Sequence, residues 1–526
     1  MTGVRPAAEG GTAGAGTAGA GTTGARAVTA TVRGGWFGFV GSGTNALFGF
    51  LLVAVVTRGL GAHGAGAVFA CVAAFTVLGN ACKLGADTAL VRFVSRDLEL
   101  TGGAGVPALL RTAVPPALAA SSAAAAAALL LSPTAALWLL PGLPQDQAVA
   151  VVRLFAVFLP VATVSLVLLG ATRGYGSVVP FVGVEQMGKP VLRVVIALPL
   201  VLLSPGVLAL SAAWLAPALP AAAAVWWALR RSRAAHPGPP QAPRSVGPGV
   251  FWAFAGPRAL SSVFDIASVW IGVILLSALG TSAEAGVYTA AGRLVTAGTL
   301  LQLAVRLAVA AQLSRLLTGG RTADAAHLHR LSTRWIVLFS WPLFVLLAAY
   351  PGAVLSLFGE GFDEGAAGLV VLSAACAVNV AVGNAQTVIL MAGRSVWNLA
   401  VAGTGFVVQI GAGIWLAPRY GVTGAAVAWG LAIVVDNGMS ALLVRRRLGF
   451  RTVDRGYLCA AAIALAVAAP VAFGGRALLG DTAQGALWGT TLTMCAFGIA
   501  VWRYRVPLGV GDFFRALRKG DGREAR

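Results

Sequence analysis

Seven positively charged side chains stand inside or at the ends of stretches otherwise apolar enough to cross a bilayer: Arg58, Arg153, Lys189, Arg193, Arg258, Arg293 and Arg306. A charge in hydrocarbon is costly, so it faces a cavity, pairs with a neighbour or reaches the headgroups. Arginine carries a flat fork of donors that grips a phosphate through two parallel hydrogen bonds. Only three acidic residues occupy the same stretches, Glu185, Asp265 and Asp436. This excess of basic groups suits an anionic ligand.

Each position has more than one reading. Arg58 and Arg153 lie near span ends, where facing a cavity and snorkelling to the headgroups both stand. Glu185 and Lys189 are four residues apart and read as a self-neutralised structural pair. Arg193, four further on, has no local partner on that face and is the better ligand-binding candidate. Arg258 follows Pro257 near a span end and reads as an interfacial anchor, while Arg293 and Arg306 lie deeper. Asp265 reads either as a carboxylate that could bind a proton or cation, or as a partner for a neighbouring arginine. Asp436, Asn437, Asn379, Asn384 and Gln409 read as hydrogen-bonding sites between helices; Asn45 reads the same way or as part of a cavity wall.

Catalytic and metal chemistry find no residues. The five cysteines (Cys71, Cys82, Cys376, Cys459, Cys495) have no CxxC spacing, and the four histidines (His63, His236, His327, His329) form no HExxH. No GxxxxGK[ST] marks an ATP site, no cofactor motif is present, and the carboxylate clusters of a membrane glycosyltransferase are missing.

The elements that must carry these residues are membrane helices. The chain has 526 residues, 58% hydrophobic and 11% charged, with mean hydropathy +0.83. A soluble domain carries roughly 25% charged residues. The apolar blocks are about 20 residues long, the length of a helix crossing hydrocarbon, and lipid obliges each crossing backbone to satisfy its own hydrogen bonds. About fourteen such helices are predicted. The net charge of +20 sits in short loops and the tail, as in Arg230-Arg231 and Arg445-Arg446-Arg447. That is the positive-inside pattern, with anionic lipid rather than nucleic acid as partner.

The chain divides accordingly. Residues 1–33 read as a disordered cytoplasmic tail, 34–229 as a first lobe of six helices, and 230–248 as a Pro/Arg-rich cytoplasmic linker. Residues 249–448 read as a second lobe of six, 449–505 as two further helices, and 506–526 as a basic cytoplasmic tail. The fold class is all-α polytopic membrane protein. The segment RGLGAHGAGAVFACVAAF (58–75) aligns without a gap on SALGTSAEAGVYTAAGRL (277–294), which suggests an internal repeat.

LGTSAEAGVYTAAGRL, preceded by FAGPRALSSVFDIASVWIGVILLSA, resembles the seventh and eighth helices of polysaccharide and lipid-linked oligosaccharide flippases. Their superfamily also holds lipid II flippases and multidrug and toxin extrusion transporters. RGLGAHGAG, GATRGYGSVVP, LFGEGFDEGAAGLVVLS and YGVTGAAVAWGLA are similar in order and spacing, and the resemblance covers about residues 36–448.

The resemblance implies two pseudo-symmetric six-helix lobes plus two C-terminal helices, with alternating access by rocking of the lobes. It implies a polyprenyl-diphosphate saccharide as cargo, its head in a central cavity and its tail in lipid. On that basis Arg58, Arg153, Arg193, Arg293, Arg306 and Asn45 are the expected cavity residues and Asp265 the candidate for ion coupling. Trp270 and Ile271 stand where many relatives carry a carboxylate, a departure that bears on such coupling. The expected setting is a bacterial plasma membrane with both termini cytoplasmic, and envelope glycosyltransferases or a polymerase as candidate partners. A lipid II flippase is a close variant. A cation-coupled multidrug antiporter is a further alternative, and a polyprenyl-dependent glycosyltransferase or polymerase the weakest.

Overall fold

The computed structural model describes residues 18–203, 205–236, 246–318, 320–392, 395–450 and 452–504, with side chains from Phe37 onward except at 307–308, 310–312, 314–315, 318 and 395. All regular structure among them is helical. The expected C-terminal tail (506–526) and the middle of the linker (237–245) lie outside the described residues, as do residues 1–17.

Two helices are too long for one crossing. In α1 (Ala18–Cys82) the described span Phe37–Cys82 has 46 residues, and in α17 (Ser395–Leu448) the span Val396–Leu448 has 53. At about 1.5 Å per residue each is more than about twice the hydrocarbon thickness. Each is broken at a glycine with positive φ, Gly61 (65°) and Gly421 (52°), so each supplies two crossings. The helix also begins at Ala18, within the stretch expected as a disordered tail.

The first lobe continues with α2 (Ala86–Thr101), α3 (Val106–Leu130), α4 (Ser132–Leu139) and α5 (Gln145–Gly174). The next crossing runs from α6 (Val179–Phe181) through a π-helical stretch, Val182–Gly188, into α7 (Lys189–Leu203). The helices α8 (Val207–Leu215) and α9 (Ala218–Ala234) complete six crossings. In the second lobe come α10 (Pro248–Leu279), then α11 (Ser282–Gly298) and α12 (Leu300–Thr318), which share one crossing. They are followed by α13 (Thr322–Ala349), the short α14 (Pro351–Leu355), then α15 (Ala366–Ala381) and α16 (Ala385–Met391) as another broken crossing, and α17. With α18 (Arg455–Leu479) and α19 (Ala483–Arg503) the described residues make fourteen crossings. Leucines such as Leu130, Leu203 and Leu478, each more than 80% exposed, face outward, a surface that only lipid would cover.

The two aligned repeat segments pack against each other. A Cβ on Gly66 would overlap the Ser282 carbonyl, and one on Gly286 would overlap that of Ala62. The absence of side chains lets the two backbones meet, as small residues do at membrane helix interfaces. Around this contact lie the turns at Gly61, Gly142, Gly280 and Gly421, which define one end of the molecule, the turn end. There Ser277 Oγ donates to Leu139 O (2.6 Å), and a Thr281/Glu284 capping box starts α11. The opposite end, where the linker attaches, is the linker end.

The helix α2 has no counterpart in the sequence-based spans, which leave Arg92 and Arg96 in a loop. It is amphipathic: Leu90, Phe93 and Val94 are buried, while Arg92, Ser95, Arg96 and Glu99 are exposed. Three further differences concern breaks and starts. The eighth and tenth crossings are interrupted, at Thr299 and at 382–384, where continuous helices were expected. The ninth begins at Thr322, with first turns polar enough to escape a hydropathy reading.

Candidate functional site

A cavity of about 480 Å³ lies between the lobes, walled mainly by the first. Its polar lining is cationic: Lys83, Arg173, Lys189, Arg193 and Arg293 face it, with Asp87 and Glu185 the acidic residues of the wall. Three positive charges are therefore left over. A low-dielectric surrounding makes an uncompensated charge expensive, so this surplus is a standing attraction for an anion.

The cations are held in two ways. Lys83, Arg173 and Lys189 have carboxylates: Lys83 Nζ is 3.1 Å from Asp87 Oδ2, Arg173 Nη2 is 3.7 Å from the same oxygen, and Lys189 Nζ is 2.6 Å from Glu185 Oε2. Arg193 and Arg293 make no ion pair among the described residues. Instead each lies over a tryptophan. The Arg193 guanidinium sits 3.8 Å from the centre of the Trp214 ring, and its Nε donates to the Trp214 carbonyl at 3.0 Å. Trp214 is itself packed edge-on by Phe75 (5.5 Å) and tilted on Phe155 (5.7 Å). Arg293 lies 5.5 Å from the Trp270 ring and reaches towards Gly49 of α1. One such arginine comes from each lobe.

The π-helical stretch places Glu185 and Lys189. Inserting an extra residue into a turn widens it, and such bulges gather at functional sites. Gln186 in this stretch donates to Ser42 Oγ (3.4 Å), tying it to α1. Asn45 also lines the cavity.

The remaining expected residues lie elsewhere. Arg58 belongs to a turn-end pocket, where its Nε donates to Leu357 O at 3.0 Å. Arg153 is exposed and donates to Ser132 Oγ at 3.0 Å, outside the cavity wall. Arg306 is also exposed and outside it, within electrostatic range of Asp265, as is Arg258. These three belong to the second lobe, beside a polar network that stitches its broken helices. Gln302 Nε2 donates to Gly383 O (2.8 Å), a carbonyl freed by the break between α15 and α16, and Asn379 Nδ2 donates to Gln302 Oε1 (3.4 Å). Asn437 Nδ2 donates to Asn379 Oδ1 (3.1 Å), and Gln386 Nε2 to Asp436 Oδ2 (2.7 Å).

Sequence reasoning missed Lys83, Asp87, Arg173 and Trp214 as parts of one wall. The i, i+4 spacing of Lys83 and Asp87 was a usable signal. It falls where an apolar block ends, in a stretch that reads as loop.

No protein-family model matches the chain, and no curated protein matches it. Solved structures do. An inward-facing multidrug resistance MATE family transporter of the MOP superfamily superposes with TM-score 0.61 at 16% identity, over 77% of this chain and 94% of that one. The lipid II flippase MurJ in an inward closed conformation gives 0.63 at 11% identity, over 89% and 99%. A MOP superfamily transporter from Pyrococcus furiosus, described as having a binding pocket of reversed polarity, gives 0.57 at 17%, over 80% and 96%. The chain shares its fold with these transporters, and at these identities the likeness is one of fold.

Proposed function

We propose that the protein is a transporter that moves a lipid-linked, polyprenyl-diphosphate oligosaccharide across the plasma membrane by alternating access, for assembly of a cell-surface polysaccharide. The observation that carries this reading is the cavity wall, with Arg193 and Arg293 contributed one from each lobe and neither neutralised by a carboxylate. A diphosphate supplies the missing negative charge, and binding it between the lobes replaces mutual repulsion with two attractions. A cationic drug would meet the opposite field, which disfavours an antiporter of cations. The shared fold with a lipid II flippase is compatible with a lipid diphosphate as cargo.

Purified protein reconstituted with a fluorescent polyprenyl-diphosphate saccharide should accelerate its exchange between leaflets, and Arg293→Ala should abolish the acceleration while leaving the folded protein intact. Efflux of a cationic dye under a proton or sodium gradient, with no lipid exchange, would replace this reading with the antiporter.

A further inference from the structure

The turn between α1 and α2 is the strained point of the described chain. Leu84 has φ 53°, the one positive φ outside glycine among the described residues. Such a conformation crowds the Cβ and persists only where its surroundings enforce it. Here backbone hydrogen bonds hold the turn, Leu84 N donating to Ala81 O (3.1 Å) and Ala86 N to Lys83 O (2.9 Å), and an ion cluster spans it. Lys83 stands just before the turn and Asp87 just after it, bridged at 3.1 Å, with Arg173 of α5 at 3.7 Å from the same carboxylate oxygen. Lys83 and Asp87 are buried, all three residues line the cavity, and Asp87 Oδ1 has no hydrogen-bond partner.

The same short helix makes a contact between the lobes at the linker end. Gly85 lies against the Ala255 carbonyl of α10. Phe93 packs at 5.7 Å on both Phe251 and Phe254, and Arg92 lies 4.5 Å over the Phe254 ring. Within its own lobe α2 is fixed on α5 along its length: Gly170 and Gly174 let the backbone at Asp87 and Leu90 lie close against α5, Ser95 Oγ donates to Gly174 O (2.8 Å), and Gly105 N donates to Asp97 Oδ2 (2.8 Å). One helix thus joins an ion cluster in the cavity to an aromatic latch on the other lobe, and it is carried by α5.

We infer that Asp87 is a positioning residue that couples the cavity to a gate at the linker end. An anionic phosphate group that takes Lys83 and Arg173 from Asp87 releases the strained turn, and the first lobe, with α2 fixed on α5, parts from α10 at the latch. A phosphate competes well for these partners, because it carries more charge and more acceptor oxygens than a carboxylate. Once the anion moves on towards Arg193 and Arg293, Asp87 recovers its partners and the latch re-forms behind it. The inference rests on the cavity being the path of an anionic cargo.

The test follows a cysteine placed at Asn80, on the cavity wall, in the full-length protein with its native cysteines replaced. Its rate of modification by a small charged thiol reagent reports access to the cavity. Asp87→Asn should raise that rate about tenfold. Inorganic diphosphate should raise it in the parent, relative to chloride of equal ionic strength, and add nothing in Asp87→Asn. Phe93→Ala, which removes the latch and leaves the charges, should raise it without diphosphate. An unchanged rate in Asp87→Asn would overturn the inference and leave the cluster a tie within one lobe. An unchanged rate in Phe93→Ala would show that the aromatic contact is no gate. Diphosphate having no effect on the parent overturns it without any variant. Labelling needs no cargo lipid, so a failed leaflet-exchange assay counts against the proposed cargo and leaves this coupling to its own result.

Discussion

Arg193 keeps its guanidinium in place without a carboxylate, which is the property an anion receptor needs. Its Nε is spent on the Trp214 carbonyl and its face on the Trp214 ring, so its terminal nitrogens remain to fork around an oxyanion. Lysine has neither the flat face nor the Nε–H. We therefore expect Arg193→Lys to cut leaflet exchange by about tenfold or more with little change in melting temperature, although the charge is kept. Trp214→Leu should act in the same direction through Arg193, raising the concentration of cargo needed for half-maximal exchange. Unaltered exchange in Arg193→Lys would reduce its role to point charge. At this scale the sequence was partly legible. Charges are rare in these spans, so Arg193 and Arg293 stand out by type and place alone. Trp214 does not, because its role depends on α7 and α8 packing together, and Lys83 and Asp87 are hidden by lying where hydropathy falls away.

Helices that are wholly apolar declare themselves, and that is why the crossings were legible while α2 was not. Half of α2 faces polar surroundings, so a search for uniformly apolar blocks passes over it, and the linker-end gate goes with it. The breaks at Thr299 and at 382–384 were illegible for a related reason: the polar network beside them is assembled from three separate crossings. Glycine was more informative, since the repeat alignment already set Gly61 on Gly280. Two glycines of α11 give a contrast. A Cβ at Gly286 meets the Ala62 carbonyl, whereas one at Gly292 meets nothing within 4 Å. Gly286→Ala should destabilise the protein by about 1–3 kcal/mol through overpacking at the contact between lobes. Gly292→Ala should be neutral or stabilising by up to about 1 kcal/mol, through helix propensity. Thermal unfolding of both variants in the same detergent checks this, and equal losses would mean that the lobes are not locked at Gly286.

The two ends of the molecule differ in charge, and this difference predicts an orientation. Exposed Arg92, Arg96, Arg230, Arg231, Arg233 and Arg445 to Arg447 crowd the linker end. The turn end presents exposed Glu360, Asp363 and Glu364, with Arg58, Arg153 and Arg419 among its exposed cations. Arg230 and Arg231 lie over Trp226 and Trp227, at 4.8 and 5.4 Å, which suits a helix end anchored among headgroups, where tryptophan and arginine both concentrate. Short loops rich in arginine stay on the side of synthesis, so the linker end should face the cytoplasm and the turn end the exterior. A cysteine at exposed His236 should then react with a membrane-impermeant thiol reagent only after the cells are permeabilised, while one at exposed Asp363 should react in intact cells. The reverse pattern would invert the direction of alternating access. The gate at α2 would then open to the exterior, and an anionic head gathered at the cytoplasmic face would first meet the Gly66–Gly286 lock instead of Lys83 and Arg173.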